Sequence, residues 1–181
     1  AEIERAVTLA PEVPLVLDEA ARVYSSIGED DLAERFARDS LSKRPDTVDA
    51  HWRLSWVLGR RKNYAGAIEF ARAAIAIAPN HWASWDELAH SLYHSGDYDA
   101  CEKACIEALR LKPDLRAASW NLASVYLHRG WFRRAERACE ALLTVDSRCD
   151  SVRALAARAA ARRVDAKAKR RARLTVGVGP A

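Results

Sequence analysis

The chain has 181 residues and a net charge of +4, half of its residues are apolar, and no run of eighteen apolar residues occurs. The length supports a sizeable core, and without so long an apolar run nothing reads as a membrane-spanning helix. Seven glycines and six prolines stand mostly at punctuation points in a sequence dominated by Ala, Leu, Arg and Glu, which predicts an all-α protein.

In chain order, residues 1–12 (AEIERAVTLAPE) read as the end of a second helix closed by Pro11. Its first-helix partner is expected further toward the amino terminus of a longer natural protein. Full units then span about 14–47, 48–81, 82–115 and 116–149, and the third is the clearest. There Trp85, Leu88, Ala89 and Leu92 make one apolar helical face before a turn at Ser95-Gly96-Asp97-Tyr98. Cys101, Ala104, Cys105, Ala108, Leu109 and Leu111 mark a second helix, which Pro113 stops. Residues 150–163 form one more alanine-rich helix, a cap over the last apolar face. Residues 164–181 are expected to be a basic, flexible tail.

The units share one step. Pro11, Pro45, Pro79 and Pro113 are 34 residues apart, and the next step lands on Ser147. Gly28, Gly96 and Gly130 mark the mid-unit turn, with Lys62 in place of glycine. The columns Ala33, Ala67, Cys101, Ala135 and Ala20, Leu54, Leu88, Leu122 supply small and core positions. Tyr24, Leu58, Leu92 and Tyr126 lie one turn beyond the core column, and Tyr64, Tyr98 and Phe132 follow the turn as an aromatic plug that Asp30 replaces in the first unit.

On these residues the chain resembles the tetratricopeptide repeat, a 34-residue helix-turn-helix unit with an aromatic, a leucine-small pair, a tyrosine, a glycine turn, a small residue and a closing proline. Trp85, Leu88-Ala89, Leu92, Gly96, Tyr98, Ala108 and Pro113 fill most of those places, over about residues 1–163. Departures at Lys62, Cys101 and Ser147 leave the helix pair in place, with a reshaped turn expected at Lys62. The resemblance implies a right-handed superhelical α-solenoid of antiparallel helix pairs: four full units, a half unit at the start and a carboxyl-terminal capping helix. It also implies that first helices line a concave groove.

Three stripes would face that groove: Asp18, Trp52, Asp86, Trp120, Ala154; then Arg22, Trp56, His90, Ser124, Arg158; then Ser26, Arg60, His94, His128, Arg162. Trp52 and Trp56 stand at i and i+4, so their rings share a face. They read equally well as peptide anchors and as packing between neighbouring first helices. Trp85 and Trp131 are read as structural. His90, His94 and His128 form a polar contact surface whose charge changes near pH 6.5, and no acidic pattern accompanies them to make a metal site. Arg53 and Asn121 neighbour the stripes, but Asp18, Asp86 and Glu87 oppose a carboxylate. The lysine-asparagine clamp of chaperone-tail receptors is therefore not present.

The candidate binding residues are Arg22, Trp52, Arg53, Trp56, Arg60, Asp86, His90, Tyr93, His94, Trp120, Asn121, Ser124 and His128. There is no phosphate loop, HExxH or GxSxG, so no catalytic residue, cofactor or small-molecule substrate is expected. Of four cysteines, three fall on apolar faces as small hydrophobes, which favours a reduced, cytoplasmic setting. Residues 150–181 carry nine Lys or Arg against two Asp, a balance of +7, which leaves residues 1–149 at −3. That basic end reads first as a solvated tail, second as a contact for an acidic protein or membrane surface, and least as a nucleic-acid site, since aromatic residues do not interleave it. The reading is a non-enzymatic scaffold or adaptor for a peptide or protein segment. Its alternative is a regulatory or targeting domain of a larger enzyme, and residues 1–12 offer a surface for homo-oligomerisation.

Overall fold

The computed structural model describes residues 2–145 and 150–176. Among the described residues all regular structure is helical: α1 (Glu2–Leu9), α2 (Pro14–Ile27), α3 (Asp30–Lys43), α4 (Val48–Arg60), α5 (Tyr64–Ile77), α6 (Trp82–Ser95), α7 (Tyr98–Leu111), α8 (Arg116–His128), α9 (Phe132–Val145) and α10 (Asp150–Val176). The pairs α2/α3, α4/α5, α6/α7 and α8/α9 pack against each other at the 34-residue step.

Each pair reverses through the same backbone device. The amides of Glu29, Asn63, Asp97 and Trp131 donate to the carbonyls of Tyr24, Leu58, Leu92 and Tyr126, at 2.8–3.1 Å. This six-to-one bond closes a helix whose last carbonyls would otherwise lack donors. It requires one left-handed residue, supplied by Gly28, Gly96 and Gly130 with φ of 86°, 86° and 74°. Lys62 takes the same conformation at φ 61°. The expected reshaping at Lys62 does not occur: the bond from Asn63 to Leu58 holds the turn, and lysine bears the backbone strain.

Small residues set the helix-to-helix approach. Ala33, Ala67, Cys101 and Ala135 have no exposed surface, and there the paired backbones come close enough for side chains to reach main chain. Ser55 donates to the Ala67 carbonyl at 2.7 Å in one pair. In the next pair Cys101 donates to the Ala89 carbonyl at 3.3 Å, so the same crossing is bridged from the opposite helix.

The chain forms two compact units, residues 1–113 and 114–181. In the first, Leu17, Ala20, Ala21, Phe36, Ala37 and Leu54 form a core against which Ile3, Val7, Tyr24 and Phe70 pack. Tyr24 stacks on Phe36 with ring centroids 5.4 Å apart. Burying a leucine such as Leu54 contributes about 2 kcal/mol. In the second, Ala123, Leu127, Ala135, Cys139, Leu142, Val152, Leu155 and Ala159 form a core. The last three come from α10, which covers α8 and α9 through its first three turns. The helix continues through Val176 and carries the basic run, every residue from 161 to 169 being exposed. Cys101, Cys105 and Cys139 are buried free thiols, whereas Ser147 and Cys149 lie outside the described residues.

Candidate functional site

First helices α2, α4 and α6 pack side by side in the first unit. Arg22 lies on α2, Trp52, Arg53, Trp56 and Arg60 on α4, and Asp86, His90, Tyr93 and His94 on α6. Trp120, Asn121, Ser124 and His128 lie on α8 in the second unit.

On α4 the two tryptophans are half-buried and each carries a cation of its own helix. The Arg53 guanidinium stands 5.0 Å from the Trp52 ring centroid, and that of Arg60 stands 4.7 Å from Trp56. Trp52 also meets His81 edge-on at 5.9 Å. Arg53 is only 9% exposed, and burial lowers its pKa. Arg60 is exposed and reaches Asp30 at 3.4 Å, while Arg22 is held by Glu19 of its own turn. The rings are thus partly core and partly surface, with their charged neighbours already engaged.

α6 carries a chain of rings. His90 and His94 meet at 4.5 Å, Tyr64 stacks on His94 at 5.1 Å, and Tyr93 lies 5.4 Å from His94 and 5.9 Å from Tyr98. Burial pushes the His90 imidazole below its usual 6.5, so it is neutral at pH 7.

Of the two acids of α6, Asp86 is among the sequence candidates and Glu87 is not. Glu87 is 9% exposed, and a β-carbon at Gly59 of α4 would stand 2.5 Å from its Oε1, so the carboxyl occupies space that only glycine leaves free. Ser91 Oγ approaches the same oxygen at 3.4 Å. Burial, then the Asp86 charge, push the Glu87 pKa up to about 8. Gly59, a glycine inside a helix, is the sequence signal that marks this pocket. Asp86 is raised to about 6 by burial, against the opposing pull of Lys112.

Asp86 has an internal control at Asp18, 68 residues earlier. Asp18 accepts from Ser40 Oγ and pairs with Arg44 at 3.2 Å. The corresponding residues in the third unit are Ala108 and Lys112. Alanine has no donor, and the Lys112 ammonium lies over the Trp82 ring at 4.1 Å. Asp86 Oδ1 is therefore buried without a hydrogen-bond partner among the described residues.

On α8, Trp120 is 36% exposed, and it lines a shallow cleft with Arg116, Ala117, Ser151 and Val152. Among the described residues Asn121 Nδ2 and Ser124 Oγ are buried without a hydrogen-bond partner, while His128 is exposed. Among the described residues no group of three or more His, Cys, Asp or Glu stands close enough to hold a metal ion. Nor is any described helix long and apolar enough to cross a membrane.

Helix pairs repeated at one step, joined by one turn geometry and spaced by one small-residue column, define an all-α helical-repeat protein of the solenoid class. Residues 17–81 and 87–144 match the tetratricopeptide repeat, and the chain belongs to that family. It is 36% identical over 81 residues to the TPR repeat-containing thioredoxin TTL4 of Arabidopsis thaliana, a match that covers 45% of this chain and 12% of that protein. Among solved structures it is similar to YrrB, a TPR protein with an unusual peptide-binding site (TM-score 0.75, 16% identity, 89% of this chain and 83% of that one). It is also similar to the first TPR domain of Spaghetti (RPAP3), solved bound to an HSP90 peptide (TM-score 0.61, 18% identity, 64% of this chain and 91% of that one). At these identities the structural likeness concerns the fold.

Proposed function

We propose that the chain is a non-enzymatic adaptor that holds a peptide or protein segment against the face of its first helices. The observation that carries this reading is the line of partly exposed rings on α4 and α6, from Trp52 and Trp56 to His90, Tyr93 and His94. Large rigid rings with polar edges give contact area at small entropic cost. Peptide binding by YrrB and by the RPAP3 domain supports the use of this fold for such a task. Three buried free thiols support a reducing, cytoplasmic setting. Leu9, 75% exposed, supports self-association through α1 as a further property.

A second reading is a targeting domain within a larger enzyme. It is favoured by the relative TTL4, a thioredoxin of which the chain spans only 12%. The complete reading frame discriminates the two.

Capture from native lysate tests the first reading, comparing the chain with a Trp52→Ala, Trp56→Ala variant that retains its helical circular dichroism. Partners are expected to be lost from the variant. An unchanged set of partners means that the rings are packing and the binding surface lies elsewhere.

A further inference from the structure

The second compact unit holds a cleft that the peptide-binding reading does not use. It is lined by Gly130, Trp131, Phe132, Arg133, Arg134 and Arg163, at the start of α9 and beside α10. None of these residues is acidic. Trp131 is 41% exposed, and the guanidinium groups of Arg129 and Arg134 stand over its ring, 5.0 and 4.8 Å from the centroid. Arg163 reaches in from α10 while holding Glu136 at 3.1 Å.

The second and third units differ at this position, whereas Glu29 of the first makes no side-chain cap either. Asn63 and Asp97, at the same repeat position as Trp131, cap their helices by accepting from the amides of Gly66 and Ala100. An indole has no oxygen to accept with, and α9 has no acid in its first turn. Two arginines stand there instead, where the positive end of the helix dipole makes cations unfavourable. The surrounding charge has the same sign. Residues 114–181 carry fifteen Lys or Arg against six Asp or Glu, a balance of +9, so the first unit carries −5.

We infer that this cleft is a second interaction surface, one that docks an acidic segment of a partner protein by its carboxylates. The guanidinium forks of Arg133 and Arg134 grip a carboxylate side-on. The exposed part of Trp131 receives the apolar stem of the neighbouring side chain, and the excess charge of the unit steers the segment in.

Fluorescence anisotropy on the full chain tests this with a labelled peptide of Glu, Asp and Leu and its Gln, Asn and Leu counterpart. The acidic peptide is expected to bind and the neutral one to fail. Arg133→Glu with Arg134→Glu should weaken binding roughly tenfold or more. The same pair should leave the melting temperature unchanged or higher, because acids suit a helix start; loss of binding without loss of stability separates docking from a structural role. Lys167→Gln with Lys169→Gln, on the exposed stretch of α10, should change affinity by less than about twofold.

Four results overturn the inference. The cleft pair has no effect, or the α10 pair matters as much, which leaves only diffuse attraction. A DNA duplex of equal charge binds more tightly through the same arginines. The chain self-associates, and the charge reversal disperses it, which makes a second copy the occupant.

Discussion

Glu87 has a carboxyl enclosed by Gly59 and Ser91, and at pH 7 burial keeps on it a proton that an unfolded chain releases. Its folded pKa of about 8 lies above the ordinary 4.5. The stabilising contribution is therefore complete below about pH 4.5 and is lost as pH rises through about 8. Asp86, raised to about 6, adds to the same slope. Glu87→Gln keeps the size of the group and removes its titration. The variant is expected to gain stability relative to the natural chain by on the order of 3 kcal/mol between pH 5 and pH 9. Urea unfolding at the two pH values measures this, and a difference that stays constant with pH means that Glu87 is solvated and charged in the folded state.

At the scale of the helix pair, each unit serves as a control for the others. Asp18 and Asp86 occupy one position, and only Asp18 has a serine opposite it. Ala108→Ser transplants Ser40 into the third unit, where alanine at 108 is fully buried. A buried hydroxyl without a partner destabilises, but this one faces an acceptor that already lacks a donor. The substitution is expected to raise stability by about 1 kcal/mol, and Asp86→Asn should abolish the gain in a double-mutant cycle. Additive effects would mean that the hydroxyl does not reach Asp86.

The same repetition explains what the sequence made legible. The helix pairs, the turns and the small-residue column follow from a 34-residue step, because each column repeats one physical demand. Lys62 departs from its column, yet the turn survives because the bonds on either side outweigh the strain of one left-handed lysine. The burial of Arg53, Glu87 and Asn121, each only 9% exposed, was not legible in this way. These residues hold the same place in successive units but differ in charge, and the burial of Glu87 depends on the missing side chain of Gly59 on α4. The arginine cleft escaped for a related reason: Arg163 joins Arg133 and Arg134 only through the packing of α10 on α9.

Across the whole molecule, each compact unit holds a buried cluster of its own. The Leu17–Leu54 cluster and the Ala123–Ala159 cluster share no residue. Where each repeat contacts only its neighbours, stability is a sum of local and nearest-neighbour contributions, so damage in one place need not spread. Leu142 is 2% exposed and central to the second core. Leu142→Ala should cost about 2–5 kcal/mol there, with the spread set by how far α9 and α10 collapse into the void. Hydrogen exchange followed by mass spectrometry should show faster exchange through α8, α9 and the first turns of α10. Exchange in α2 to α5 should remain within error of the natural chain. Leu54→Ala, placed in a core position with no exposure, should reverse the pattern. Equal acceleration along the whole chain from either substitution would establish one cooperative core, and the division at Pro113 would then describe geometry without describing energetics.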